Sequence, residues 1–597
     1  MRTTSGQGIR AGRVAALHGG PVGDAASDEA IARLRQDLAS LRATEAGLPH
    51  LKKGLAAAHA NQWGQVVEHC RRGLALDDAS PYGWHLLAIA EEKQGDWTAS
   101  LDAYGKAFAL QPTNIDIAND LGRLALRMSM FPQAEALFRH YLAHQLYAHE
   151  ASANLASALR SQMRFEEAIE VVKPAIEAQP DQPLLWNSLG ATLWEMGQAD
   201  QAAIFFHEGL RLAPQDAKVR YNLANALYAL GQPAEAIEHC TLARAQTQEP
   251  SDRAMMGLAL AQMHLASGDL SQGWEVYEAR LDPHYAEPIH FLASRPKWTP
   301  FADIAGRHLL LFAEQGLGDE ILFSNTLEDV LAALGPGGRL SLAVDDRLVG
   351  LLRRSYPQIN VGLHKTIKRH GRAIRAAPFV TDWADVDLWA PIGQMLRQFR
   401  PKLEDFPDRP QGYLKADPAR VAYWRDQLAA LPGPKVGLLW TSMLIDASRK
   451  KFFSPFEDWA PVLRTPGVSF VNLQYGDCTV DLDYARREFG VEIIQPADID
   501  LKLELDDVAA LSCALDLVIG PANASSNIAA ACGAPLWLIS PPGVWPRLGT
   551  DRYPWYPQAR VFVPDRFADW GPLMADVAGA LAAFVGDARG QARGSAA

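Results

Sequence analysis

Gly54, Ala88, Gly122, Ala156, Gly190 and Ala224 stand 34 residues apart, and all are small. A leucine precedes five of them, at Leu87, Leu121, Leu155, Leu189 and Leu223. Twelve residues further along each unit come Val66, Ser100, Ala134, Ala168, Ala202 and Ala236. Four more residues bring larger side chains such as Tyr104, Phe138 and Phe206, and Pro112, Pro180 and Pro214 fall at unit ends. Unrelated helices do not hold a fixed period over six units. Small residues at this spacing predict pairs of antiparallel helices that cross closely. The aromatics are expected to fill the gap to the next pair, and the prolines to stop the second helices. A looser seventh unit is expected near Leu260, Ala261 and Gly268.

This pattern resembles the tetratricopeptide repeat (TPR). The resemblance implies an all-α solenoid over residues 47–285 whose first helices line a protein-binding groove. Asn154, Asn187 and Asn222 are placed to hydrogen-bond an extended peptide, and Trp194 and Tyr228 to offer it apolar area. The alternative for the aromatics is core between repeats. Residues 1–46 read as a tail with one short amphipathic helix carrying Ile31, Leu34, Leu38 and Leu41, which is suited to cap the first repeat.

After Pro283 the periodicity changes. Residues 286–306 are rich in proline and aromatics and read as a linker. Beyond it, RHLLLF, RLSLAV, INVGL, PKVGLLW, VSFVNLQ, VEIIQ, LDLVIG and PLWLIS read as strands separated by helices, with residues 362–410 loopier. Alternation of this kind predicts parallel sheets with crossover helices, here two Rossmann-like halves over 307–430 and 431–597, with ligands expected at the carboxyl ends of the strands and a C-terminal helix closing the second half. A length of 597 residues itself requires several domains. The net charge of −12 argues against nucleic acid as a partner. The five cysteines show no metal or disulfide spacing, which suits a reducing cytoplasm. There is no apolar leader and no stretch fit to span a membrane, so a cytoplasmic protein is expected.

Three loops after strands carry candidate chemistry. In EQGLGDE, Gly316 and Gly318 permit close backbone approach at a helix start, and Asp319 is either a general base or simply part of a helix cap. In GPANASSN, Pro521 leads into Asn523, Ser525, Ser526 and Asn527, a polar helix start suited to a phosphate. In WTSMLIDASRKK, Thr441 and Ser442 precede Lys450 and Lys451, cations suited to a phosphate or carboxylate. Trp440, Trp545 and Tyr553 are possible pocket walls. Asp385-Val-Asp387 and Asp498-Ile-Asp500 imitate a metal-binding DxD, but neither follows a strand in the required way, and no metal is expected.

EQGLGD with its helix, and DRYPWYPQARVF at 551–562, resemble TPR-fused bacterial glycosyltransferases of the GT-B architecture, relatives of the heptosyltransferases and, more distantly, of the protein O-GlcNAc transferases. The resemblance covers roughly residues 47–585. It implies an inverting, metal-independent transferase with Asp319 as general base and a nucleotide sugar as donor. Many relatives carry Asp and His where this chain has Ala522 and Asn527. That variant, with the array, is most similar to FlmG-type flagellin glycosyltransferases. The narrower resemblance implies a CMP-linked nonulosonic acid such as pseudaminic acid, placed on Ser or Thr of flagellin. Heptose or N-acetylglucosamine donors, and a non-catalytic adaptor with a decayed transferase half, are the alternatives.

Overall fold

The computed structural model describes residues 30–35, 47–285, 288–369, 372–442 and 447–594. The chain forms two compact units, one running up to Leu223 and the other from Ala224 onward. The division falls inside a single helix, Ala217–Ala229.

The first unit is a series of helix pairs: Leu48–His59 with Trp63–Leu74, Pro81–Lys93 with Trp97–Leu110, Ile115–Arg127 with Phe131–Leu142, His149–Ser161 with Phe165–Ala178, and Pro183–Glu195 with Ala199–Leu212. The small residues are needed where the two helices of a pair meet. A Cβ on Gly122 would come within 2.9 Å of Phe138 Cε1, and one on Gly190 within 2.7 Å of Phe206 Cε1. The aromatics therefore fill the crossing within their own pair rather than the gap to the next. Each is fully buried, because a glycine opposite leaves a ring-sized recess. Pro112, Pro180 and Pro214 lie just past the second helices, as expected. Ile31 and Leu34 pack into one cluster with Leu48 and Leu51, which places the preceding segment on the first repeat; Leu38 and Leu41 lie outside the described residues. Asp120 ties successive pairs together, accepting from Arg123 at 2.7 Å and bonded to His85 at 2.8 Å. Burial pushes its carboxyl up, but Arg123 and His85 outweigh burial and hold it below the usual range.

The second unit begins with helices Pro233–Gln246, Pro250–Ala266 and Leu270–Val276. These do not stop at the sheets. The Trp274 indole N–H donates to the Arg400 carbonyl at 2.8 Å, and its ring meets Trp545 and Trp555 edge-on at 6.0 and 6.5 Å. Trp274 and Tyr277 sit in the same core as the strands that follow.

Among the described residues, thirteen strands form three sheets. β1 (Ile289–Leu292), β5 (Lys365–Arg369) and β6 (Arg372–Ala376) make one in the order β1-β6-β5, with β5 and β6 antiparallel. β2 (His308–Phe312), β3 (Arg339–Val344), β4 (Asn360–Leu363) and β7 (Leu388–Pro391) make a parallel sheet ordered β4-β3-β2-β7. β8 (Lys435–Leu438), β9 (Ser469–Asn472), β10 (Ile493–Ile494), β11 (Leu517–Pro521), β12 (Leu536–Ile539) and β13 (Arg560–Phe562) make the other, β10-β9-β8-β11-β12-β13, also parallel. Central strands such as β2 and β11 are buried throughout, the condition for parallel sheets covered on both faces. In the two parallel sheets the order reverses beside a central strand, which leaves a crevice at the carboxyl ends.

The structure refines two expectations. Residues 362–410 are not loop throughout: they also hold β5, β6, β7 and the helix Gln394–Phe399. β5 is exposed along its whole length, so it carries no hydrophobic alternation to read. The helix expected after EQGLG is also broken, into Leu317–Phe323, a tight turn Ser324–Thr326, and Leu327–Leu334. The buried Arg400 guanidinium donates to the Asn325 side chain at 2.9 Å and to its carbonyl at 2.7 Å, fixing the bend.

Candidate functional site

β2 delivers the chain into Glu314, and Glu314 is locked. Arg280, from the end of the helical segment, donates to its two oxygens at 2.7 and 3.1 Å, and the Gly393 N–H adds a bond at 2.9 Å. Both side chains are almost fully buried. The chain then turns through Gln315, a non-glycine residue with φ of +64°, which stores strain at the loop. Gly316 caps the helix Leu317–Phe323, and its N–H donates to Asp319 Oδ2 at 3.3 Å.

The acid pair divides its labour. Glu320 is structural: it accepts from the Asp345 N–H at 2.9 Å, is bonded to His364 Nε2 at 2.9 Å, and lies 3.9 Å from Arg375. Those contacts hold the ends of β3 and β4 beside the loop. Among the described residues Asp319 has only the Gly316 N–H as a hydrogen-bond partner, although it is 4% exposed. Burial pushes its carboxyl up to about 8, with the charges of Glu314 and Glu320 adding, and with the Gly316 N–H and Arg280 opposing. Tyr553 feels the Asp319 charge, and its buried hydroxyl has no hydrogen-bond partner among the described residues.

The second loop follows β11. Asn523 caps the helix Ala524–Ala531 through a reciprocal pair: the Ser526 N–H donates to Asn523 Oδ1 at 3.0 Å, and the Asn523 N–H donates to Ser526 Oγ at 2.9 Å. Ser526 Oγ also donates to the Pro521 carbonyl at 2.9 Å. Asn523 Nδ2 is buried with no partner among the described residues, and beside it Ala522 is exposed. Ser525 is buried. Asn527 Nδ2 donates to the Gly318 carbonyl at 3.4 Å. That bond joins the two loops, and the two short helices pack on one another. Of the expected donor-site residues, the structure thus brings Gly316, Gly318, Pro521, Asn523, Ser525, Ser526 and Asn527 to one place, beside Asp319.

The third loop follows β8, which pairs with β11, so both end at the same edge of the sheet. Its backbone is held by Gln474, whose Oε1 accepts from the N–H groups of Trp440 and Thr441 at 3.1 and 3.0 Å. Sequence reasoning missed Gln474. The available signal was a polar side chain at the end of an apolar strand, VSFVNLQ. Trp440 is core, with its indole N–H on Asp481 at 2.7 Å. Thr441 and Ser442 are half-buried, Lys450 is exposed and Lys451 is buried; residues 443–446 lie outside the described residues. No contact brings Lys450 to the other two loops.

The groove residues are less available than expected. Asn154, Asn187 and Asn222 are buried, and Asn222 Nδ2 donates to Asn187 Oδ1 at 2.9 Å, so these two amides bond to each other. Trp194 is 3% exposed and its area is already used inside the array. Tyr228 is half-buried against the Gly543 backbone, near Arg547. The DxD look-alikes have structural work. Asp385 pairs with Arg339, Asp387 accepts the His308 N–H at 2.7 Å, and Asp500 accepts the N–H groups of Lys502 and Leu503. Among the described residues no three metal-ligating side chains cluster, and no helix is long and apolar enough to cross a membrane.

Comparison with known proteins bears on the whole chain. Residues 119–183 and 193–262 match tetratricopeptide repeat families. The protein FlbA of Caulobacter vibrioides is 45% identical over 564 residues, which span 94% of each chain. The chain belongs to the FlbA family. The likeness to FlbA runs through both the repeats and the sheets. A peroxisomal targeting signal receptor of Candida glabrata is 35% identical over only 75 residues, 13% of each chain. A tetratricopeptide repeat protein of Parabacteroides merdae covers 40% of this chain and 93% of its own, at 15% identity and a TM-score of 0.36, too low to carry an argument.

Proposed function

We propose that this FlbA-family protein is a GT-B glycosyltransferase that moves a sugar from a nucleotide donor to a serine or threonine hydroxyl of a protein, with flagellin as the acceptor and a CMP-linked nonulosonic acid such as pseudaminic acid as the donor. The observation that supports it most is the meeting of two loops at the carboxyl ends of two parallel sheets, one carrying Asp319 and the other the helix start at Asn523. In this reading Asp319, once ionised, takes the proton of the acceptor hydroxyl. The hydroxyl oxygen bonds to the anomeric carbon as the bond to the donor phosphate breaks, and the electron pair leaves with that phosphate. The N–H groups of the helix Ala524–Ala531 and the free amide Nδ2 of Asn523 favour that charge. A carboxyl near 8 is a strong base when ionised and is matched to work close to neutral pH. The single base, with no second carboxylate placed as a nucleophile, fits one-step inversion. The repeats recruit the acceptor protein.

A second reading, a non-catalytic adaptor, is favoured by one observation: Asn527 on the Gly318 carbonyl closes the two loops directly on each other. Intact mass of flagellin from cells separates the two. Cells making the Asp319→Asn protein, at wild-type levels, should yield flagellin as light as cells lacking the protein. Fully modified flagellin from those cells would leave the adaptor standing and remove the base.

A further inference from the structure

Between Asp346 and Asp382 the sequence contains eight lysines and arginines and no acid, in a chain whose net charge is −12. Part of this basic stretch serves the fold. Arg347 pairs with Asp345, Arg354 with Asp506, and Arg375 donates to Thr366 and to the Ala313 carbonyl. The three cations of β5 do not. Lys365, Lys368 and Arg369 are exposed, and among the described residues they meet no carboxylate.

β5 is an edge strand of its sheet, so the outer row of its backbone groups has no strand beside it. The register assigns the faces. Phe291, Arg375 and Thr366 form one cross-strand row, and Phe291 packs on Phe312 and Trp389, so that row points inward. The neighbouring rows point outward and contain Ile367, which is 50% exposed, and Leu292, which is 63% exposed. Along the outward face of β5, Lys365, Ile367 and Arg369 therefore alternate cation, aliphatic, cation, with about 6.6 Å between successive side chains. A lysine alone guards an edge against unwanted pairing. An exposed isoleucine between two unpaired cations works against such guarding.

We infer that β5 is a docking edge for an acidic, extended segment of a protein partner, which adds as a further strand. Its outward side chains read acid, aliphatic, acid at alternate positions. Backbone hydrogen bonds supply the attachment, and the two ion pairs flanking an apolar pair set the register. The pattern is symmetric, so it serves a parallel or an antiparallel strand alike. A lipid surface would meet the same charges but has nothing to pair with the open edge. This inference does not depend on the transferase reading.

The test uses the full chain and two labelled peptides of equal composition, with cores Glu-Thr-Val-Thr-Glu and Thr-Glu-Val-Glu-Thr, read by fluorescence anisotropy. The first should bind, less tightly as salt rises, and the second about tenfold more weakly. Lys365→Glu with Arg369→Glu should weaken the first by about tenfold or more, and Lys365→Gln with Arg369→Gln by an intermediate factor. These side chains are exposed, and an unchanged circular dichroism spectrum confirms the fold. Absence of peptide binding, equal binding of the two peptides, or equal binding by the variants overturns the inference. So does capture by phosphatidylserine vesicles, through the same residues, without peptide binding.

Discussion

Replacing Asp319 by asparagine should stabilise the protein, and increasingly so as pH rises. The side chain keeps its size, and its Oδ1 still accepts the Gly316 N–H, so the helix cap survives. What disappears is the burden of a buried acid. In the unfolded chain the carboxyl loses its proton near 3.8, and in the folded chain near 8. Below the lower value both states hold the proton and the residue is neutral to stability. Between the two values the folded state keeps a proton that the unfolded state has released, so wild-type stability falls by about 1.4 kcal/mol per pH unit. Above about 8 the loss levels off, at roughly 6 kcal/mol in all. Asparagine has no such dependence. Urea unfolding followed by tryptophan fluorescence is the assay, since Trp274, Trp545 and Trp555 share one core with the helix that carries Asp319. The variant and the wild type should match near pH 4 and separate progressively toward pH 8. A difference that stays constant across that range would refute the argument, because it would place the ionisation of Asp319 outside the folding equilibrium.

Catalysis should run the other way: if Asp319 is the base, kcat for flagellin modification rises with pH through about 8 as the carboxylate forms, and the Asp319→Asn protein shows no such limb. Arg280→Met leaves Glu314 buried with only the Gly393 N–H, and should lower stability by about 3–5 kcal/mol, measured by urea midpoint; adding Glu314→Gln should recover most of it. A chain beginning at residue 286 lacks Trp274, Tyr277 and Arg280 and should show no cooperative unfolding transition, whereas one beginning at Pro233 should show it.

The repeats were legible because a close helix crossing forces a small residue at one fixed place, and Gly122 and Gly190 sit under Phe138 and Phe206 for that reason. The buried parallel strands were legible as apolar runs, β2 and β11 most clearly. The partners of the acid pair were not. Glu314 is fixed by Arg280, 34 residues earlier, and Glu320 by His364, 44 residues later, and no local pattern announces contacts at those separations. β5 was invisible because an exposed basic edge carries no hydrophobic period. Asn187 and Asn222 were visible as polar residues on first helices, but sequence does not say whether such amides face a peptide or each other.

The central claim is that the helix start at Asn523 receives the phosphate of a nucleotide sugar. Asn523→Asp tests it with the helix cap kept, because aspartate caps a helix as well as asparagine does and still accepts the Ser526 N–H. It also places a negative charge where the donor phosphate would lie. Titration calorimetry of the purified chain with a CMP-linked nonulosonic acid, alongside UDP-N-acetylglucosamine and an ADP-heptose, should show the CMP sugar binding the wild type and failing to bind the Asn523→Asp protein. Equal binding by both proteins, or no binding of any of the three donors to the wild type, would contradict the account.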